Sequence, residues 1–332
     1  MGNNNNTFES ILSIQNFLVS ENRYELIKEI YQGLIQSHKQ FSSRFFYDDT
    51  GSELFEEITR LPEYYPTRTE KKILQENAGG ILGDFDRIDI IELGSGDCSK
   101  ISVLLDAIPK PKLANINYIP VDVSESAVLK SADILQCKYP AIKIYGVLAD
   151  FMKHLSSLPG NSPKLICFFG STLGNLTRNQ ANGFLLGLKK LMNPGDKFLL
   201  GLDMVKDSLI LHKAYNDNQG ITARFNKNIL QVVNDVADTN FNTSDFKHLA
   251  FYNEKESRIE MHLETVEDMV IKSNYFPQEI LLKKGETIHT ENSHKFTDSD
   301  IQNFATATGL KIGNIYTDSN QWFSLVKFIY TA

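Results

Sequence analysis

The sequence predicts an α/β protein: a nucleotide-binding type of sheet covered by helices on both faces, joined to a second, mixed α+β lobe. Three observations predict it. Short apolar strands alternate with helical segments from Asp89 to Asp203, the pattern of a parallel sheet built from βα units. A glycine-rich turn, Gly94-Ser95-Gly96, follows the first of those strands, the place where such sheets approach a ligand. After Asp203 the rhythm stops and resumes only at Phe296, which marks an insertion.

Residues 1–8 are polar and predict a disordered tail. From Phe8 to Gln36 apolar residues fall at helical spacing (Ile11, Leu12, Ile14, Phe17, Leu18, then Leu26, Ile27, Ile30, Leu34) and predict two short helices. Ser42–Arg68 is dense in aromatics and turn residues, and Thr69–Ile81 reads as helix. Strands are predicted at Asp89–Leu93, Tyr118–Val123, Ile142–Val147, Lys164–Phe169 and Lys197–Asp203. Helices fall between them at Ile101–Ile108, Glu125–Gln136 and Arg178–Met192, the last stopped by Asn193-Pro194-Gly195. The insertion holds a helix around Ile221–Val236 and strands at His248–Asn253, Arg258–Val266 and Glu279–His289. Thr297 with Asp300 opens a helix, Phe296–Thr308, in the manner of a capping box. Strands Lys311–Asp318 and Trp322–Tyr330 end the chain. The expected division is 72–203 plus 296–332 for the cofactor domain and 9–71 plus 204–295 for the acceptor lobe.

Composition narrows the function. The chain has 332 residues, 42% hydrophobic and 23% charged, as in ordinary globular proteins. A net charge of -7 argues against a nucleic-acid partner. No run approaches the roughly 18 apolar residues of a membrane span, and the first ten residues lack the layout of a secretory signal. Three scattered cysteines (Cys98, Cys137, Cys167) build neither a disulfide framework nor a metal site, which fits a cytoplasmic protein. Seven scattered histidines likewise predict no metal.

The turn after the first strand, Glu92-Leu93-Gly94-Ser95-Gly96-Asp97, lets the backbone come close to a ligand. A dinucleotide fingerprint would place glycine or alanine at position 99, where this chain has Ser99 and then Lys100. That departure, with the acid before the loop, favours S-adenosylmethionine over a nicotinamide cofactor. Asp122 ends the second strand, where a carboxylate can accept both ribose hydroxyls. Asp150 and Phe151 follow the third strand and can meet an adenine by hydrogen bond and stacking. Lys100 can pair with a methionine carboxylate. Each acid alone could simply face solvent; three at the carboxyl ends of successive strands argue for a site.

Three segments carry the acceptor side: RFFYDDTGSELFEEITRLPEYYPTR (44–68), FFGSTLGN (168–175) and TENSHKF (290–296). On YDDTGSELFEEITRLPEYYPTR, IELGSGDCSK and FFGSTLGN, the chain resembles the histidine-specific, S-adenosylmethionine-dependent methyltransferases of ergothioneine biosynthesis, from about Phe41 onward. The resemblance implies a Rossmann-like class I methyltransferase sheet and conversion of histidine to its Nα-trimethyl betaine, hercynine. It places Tyr47 at the cofactor and near the acceptor amine. It makes Tyr64 (with Tyr65 as fallback), Asn175 and Tyr215 donors to the substrate carboxylate, and Gly170 and Thr172 the lining of the amine end. Glu291 and Ser293 would grip the imidazole, with Met261 and Phe55 packed beside it. Tyr47 and Asn175 are the expected catalytic pair, and Tyr47, Phe55 and Phe169 the aromatics beside a growing ammonium. A neutral imidazole offers one donor and one acceptor, which a carboxylate and a hydroxyl match.

Plainer readings apply to neighbours. The tyrosines of PEYYPTR could pack an interdomain surface, Glu291 could be a solvated charge, and Cys98 suits packing. Lys295 and Arg68 read as surface or structural ions, and His289 and His294 as surface residues. Two rival functions stay open here: methylation of another amino acid or small amine, and cofactor binding without turnover. A monomer acting on a small molecule is expected.

Overall fold

The computed structural model describes residues 12–18, 22–155 and 162–331; the expected tail at 1–8 lies outside them. In chain order the first elements are β1 (Leu12–Asn16), α1 (Arg23–Leu34), β2 (Lys39–Gln40), α2 (Asp49–Thr59) and α3 (Tyr65–Leu82). The α/β core follows with β3 (Ile88–Leu93), α4 (Ser99–Asp106), β4 (Ile116–Asp122), α5 (Glu125–Lys138) and β5 (Lys143–Leu148). It continues through α6 (Phe151–His154), β6 (Lys164–Phe168), α7 (Arg178–Lys189) and β7 (Lys197–Asp203).

These strands form one eight-stranded sheet with β14 (Phe323–Ile329) and β13 (Lys311–Thr317), in the order β1-β5-β4-β3-β6-β7-β14-β13. Strands β1 to β7 within it run parallel, and β14 is antiparallel to both its neighbours. Every residue of β3 (IDIIEL) and β6 (KLICF) is buried, because helices cover both faces. The chain leaves β3 toward β4 and β5, then returns to β6 on the other side, so the strand order switches beside β3. That switch point is where open α/β sheets bind ligands.

The insertion contributes α8 (Ser208–Tyr215), α9 (Ile221–Ala237), β8 (Phe246–Asn253) and β9 (Arg258–Thr265). It ends with the β10 (Met269–Ile271) and β11 (Ile280–Leu282) hairpin and β12 (Thr287–His294), before α10 (Asp298–Thr308). Strands β2, β12, β9 and β8 make a four-stranded sheet in that order. A helical stripe on α9 (Ile221, Phe225, Ile229, Leu230, Val233, Ala237) is buried beneath it with Leu34, Phe46 and Leu211. The segment 27–65 and the insertion therefore share one apolar core. Thr297 and Asp300 form the expected capping box at α10.

Three elements depart from the predicted pattern. The first helix expected between Phe8 and Gln36 is strand β1 on the edge of the large sheet. A five-residue segment cannot sustain a helix, whereas pairing with β5 satisfies its backbone. The single strand expected at Glu279–His289 is two, broken at Gly285, whose φ of +80 turns the chain. Helix α8, short and capped by Asp207, carried too few turns to show a period.

Candidate active site

The carboxyl ends of β3, β4, β5 and β6 floor a cleft of about 980 Å³, within the range of small-molecule sites. Gly94 (φ +70) and Gly96 (φ +49) take left-handed conformations that let the loop turn back on β4. The Gly94 N–H donates to the Val121 carbonyl (2.8 Å), and the Gly96 N–H donates to Asp122 Oδ2 (3.1 Å). Asp122 also accepts from the Ser124 N–H (3.0 Å). Burial raises its carboxyl above the usual carboxylate range while those backbone bonds pull it back. Glu92 is buried and accepts from the Tyr118 hydroxyl at 2.5 Å, and burial pushes it up to about 8. Asp150 caps α6 through the Met152 N–H (2.9 Å), and Phe151 packs on Phe168, ring centroids 5.2 Å apart.

The loop fits a nucleoside cofactor without a pyrophosphate. Ser95 Oγ is buried with no hydrogen-bond partner among the described residues, and the acids beside it suit ribose hydroxyls. Lys100, the expected partner of a methionine carboxylate, pairs with fully buried Glu70 at 2.8 Å. Its ammonium also lies 5.9 Å over the Phe169 ring, so that aromatic face already holds a cation.

The cleft runs into a chamber of about 50 Å³ on the acceptor side. Tyr47, Phe55, Tyr64, Gly170, Thr172, Asn175 and Glu291 line both, and Tyr215, Met261 and Ser293 line the chamber only. A β-bulge between His289 and Glu291 shifts the β12–β9 register and re-aims the strand. Glu291 and Ser293, two residues apart on β12, then share one face and point into the chamber. Asn175 ends a 3₁₀ turn (Thr172–Asn175) pressed against β12. Gly174 permits that approach: a Cβ there would lie 2.8 Å from the His294 carbonyl oxygen. Asn175 Nδ2 thus donates to Glu291 Oε1 at 3.1 Å. Burial pushes the Glu291 carboxyl up to about 7, against the pull of Lys295.

Adjacent tyrosines part company. Tyr64 faces the chamber and packs edge-on to Phe55 and Tyr215 (6.3 Å each). The Tyr65 hydroxyl donates to buried Asp203 (2.7 Å), so Tyr65 belongs to the core and not to the chamber. Arg68 donates to the Leu61 and Tyr64 carbonyls and fixes this bend. Tyr47 stands edge-on to Phe55 (6.1 Å) and Phe225 (6.2 Å). Burial, with Glu291 nearby, holds its hydroxyl well above the ordinary phenol range. The Tyr215 hydroxyl donates to Ser293 Oγ at 2.7 Å rather than into the chamber.

Two histidines expected at the surface are inside, and Lys295, read as a surface or structural ion, is a structural one. Lys295 is fully buried, and its ammonium contacts Asp203 (2.8 Å), Ser293 Oγ (2.9 Å) and the Tyr215 hydroxyl (3.2 Å). His294 is buried beside the 3₁₀ turn that Gly174 brings against it, and His289 is half-buried where β12 pairs with both β2 and β9. Glu70, Asp203 and Phe225 join the site without having been singled out. Asp203 could have been found, since it ends β7 as Asp122 ends β4. Cys98 is buried, with its thiol pushed up to about 11, which suits packing. Among the described residues no group of three or more His, Cys, Asp or Glu side chains could hold a metal. No helix among them is long and apolar enough to cross a membrane.

Comparison with known proteins identifies the family. The family model of histidine-specific, S-adenosylmethionine-dependent methyltransferases matches residues 26–329. The histidine N-alpha-methyltransferase of Mycolicibacterium smegmatis is 37% identical over 315 residues, 95% of this chain and 98% of that protein. The histidine N-alpha-methyltransferase of Mycobacterium tuberculosis is 37% identical over 300 residues, 90% and 93% of the two chains. A 4-dimethylallyltryptophan N-methyltransferase of Penicillium roqueforti is more distant, at 25% over 309 residues, 89% and 88% of the two. The chain belongs to the histidine-specific, S-adenosylmethionine-dependent methyltransferase family and is an S-adenosylmethionine-dependent N-methyltransferase.

Proposed function

We propose that the chain methylates the α-amino nitrogen of L-histidine, three times in succession, to give hercynine on the route to ergothioneine. The observation that carries this reading is the pairing of Glu291 and Ser293 on one face of the chamber wall, in a chamber that Tyr64 also lines. A carboxylate and a hydroxyl match the donor and acceptor of a neutral imidazole. Tyr64 and Asn175 are the donors proposed for the substrate carboxylate. Tyr215 joins them only if its hydroxyl turns away from Ser293. Gly170 and Thr172 are proposed to line the amine end, with Met261 and Phe55 against the ring.

S-adenosylmethionine supplies a methyl on a sulfonium, already activated for displacement. The chain's work is then to orient the amine lone pair toward that methyl and keep water out. Tyr47 remains a phenol at neutral pH, because burial and Glu291 oppose its ionisation. We therefore assign it to orienting the amine by hydrogen bond rather than to taking its proton as a phenolate. Tyr47, Phe55 and Phe225 line the chamber, and their ring faces are the surfaces proposed to meet an ammonium that grows with each transfer; Phe169 is less suited, with Lys100 already over it. We read the protein as a cytoplasmic monomer acting on a small molecule.

Calorimetric titration with histidine, histamine, tryptophan and ornithine, S-adenosylhomocysteine present, tests the reading. Histidine is expected to bind at least tenfold tighter than each of the others. Equal binding of histamine would remove the carboxylate contacts, and equal binding of tryptophan would remove the imidazole grip.

A further inference from the structure

Behind the chamber wall lies a charged cluster whose members line neither the cleft nor the chamber. Lys295 and Lys206 share Asp203: Lys295 Nζ is 2.8 Å from Asp203 Oδ2, and Lys206 bonds Asp203 Oδ1. The Tyr65 hydroxyl donates to the same carboxylate and accepts from Lys206 at 2.8 Å. With two ammonium groups on one carboxylate, the cluster carries one net positive charge until Lys206, lowered by burial to about 8, gives up its proton, and its forward edge is Lys295. That edge contacts two hydroxyls of the chamber wall, Ser293 (2.9 Å) and Tyr215 (3.2 Å).

An ammonium can only donate. Tyr215 Oη therefore accepts from Lys295 and donates its own hydrogen to Ser293 Oγ at 2.7 Å. Ser293 Oγ then accepts twice, from Lys295 and from Tyr215, and a hydroxyl oxygen has two lone pairs. The hydrogen of Ser293 is left for the chamber. Resting on the histidine reading above, we propose that Lys295 fixes the hydrogen-bond polarity of the ring end, so that the site takes a neutral imidazole and rejects an imidazolium. Ser293 donates to the unprotonated ring nitrogen, while Glu291 accepts from the ring N–H. A ring protonated on both nitrogens would set an N–H against a Ser293 oxygen with no free lone pair, in front of a buried positive charge. Lys295 lines neither cavity, so it is a positioning residue, acting through Ser293 and Tyr215.

Other titratable groups face this corner. They are Glu291 on β12, Tyr64 and Tyr65 at the start of α3, Tyr47 before α2, and Asp203 with Lys206 after β7. His248 on β8 bonds the Tyr215 carbonyl through Nε2. Glu291 titrates in the same range as the ring, so it steepens the acid limb in any variant that keeps it. Lys295 also pulls on Glu291, so the two slopes are measured again in a Glu291→Gln background, where that carboxyl no longer titrates.

The test is the pH dependence of histidine binding, by calorimetry with S-adenosylhomocysteine from pH 5 to pH 8, for the wild type and Lys295→Met. The neutral fraction of a ring with a pKa of about 6.5 falls about 30-fold across this range. The wild type is expected to lose at least that much affinity. In Lys295→Met, Asp203 keeps Lys206 and Tyr65, Ser293 Oγ regains a lone pair, and the loss is expected to shrink by about tenfold. A wild type with equal affinity at pH 5 and pH 8 overturns the proposal without any variant. A variant that still binds the cofactor but is weaker for histidine by the same factor at every pH overturns it too, since Lys295 would then only support the fold. Cofactor binding with no histidine binding at pH 8 overturns the histidine reading itself.

Discussion

Asn175 Nδ2 donates to Glu291 Oε1 across 3.1 Å, tying the loop after β6 to strand β12 of the second sheet. Asn175 and Glu291 both border the cleft over the glycine loop and the chamber beyond it. A change at this contact should therefore be felt in both places.

The first consequence concerns stability. Glu291 titrates at about 7 in the folded chain against 4.5 for an ordinary glutamate, because burial disfavours its charge. With the folded value raised, the associated stability is complete below pH 4.5 and is lost as pH rises through about 7. Without ligand, Glu291→Gln should stabilise the protein at pH 8 by about 3 kcal/mol. The gap should close toward pH 4.5, as thermal unfolding at several pH values would show. A gap independent of pH would mean that Glu291 is not titrating there.

Tyr64 and Tyr65 should separate binding from folding. Tyr64→Phe should leave unfolding free energy within about 0.5 kcal/mol and weaken histidine binding by about 5- to 100-fold. Tyr65→Phe removes a buried hydrogen bond to the Asp203 carboxylate, which keeps Lys206 and Lys295, and should lower stability by about 1–3 kcal/mol. Denaturant melts and titrations on both variants check this; exchanged phenotypes would refute the assignment.

Asp122 accepts the Gly96 N–H and borders the cleft. Asp122→Ala should weaken S-adenosylhomocysteine binding by about 5- to 100-fold. Unchanged cofactor affinity in a calorimetric titration would move the ribose site elsewhere.

Gly174→Ala puts a methyl 2.8 Å from the His294 carbonyl oxygen and 3.1 Å from its nitrogen. The 3₁₀ turn must back away from β12 and carry Asn175 with it. We expect kcat/KM to fall at least tenfold, since small misplacements are costly in displacement chemistry. A variant with wild-type kinetics would show that the Asn175–Glu291 contact does not matter for turnover.

The large sheet was legible because strands buried on both faces read as apolar runs, as IDIIEL and KLICF do. The glycine loop and the acids at strand ends were legible by the same spacing logic. The edge strand β1 was not: its apolar residues fit helical spacing, and only pairing with β5 decides. Nor was the inside of the acceptor wall. Lys295 sits in a polar stretch, and no local pattern says that its ammonium is buried against Asp203, 92 positions earlier (295 − 203). Glu70 and Phe225 were equally silent, since each meets its site partners only through tertiary packing.

Product analysis decides whether the α-nitrogen of histidine is the methyl acceptor. The purified protein is incubated with S-adenosylmethionine and an equimolar mixture of histidine, tryptophan, ornithine and histamine, and products are mapped by mass spectrometry and NMR. One, two and then three methyl groups are expected on the α-nitrogen of histidine and none on its ring or on the other acceptors. Methylation of the imidazole ring, or preferential methylation of another acceptor, would contradict that expectation.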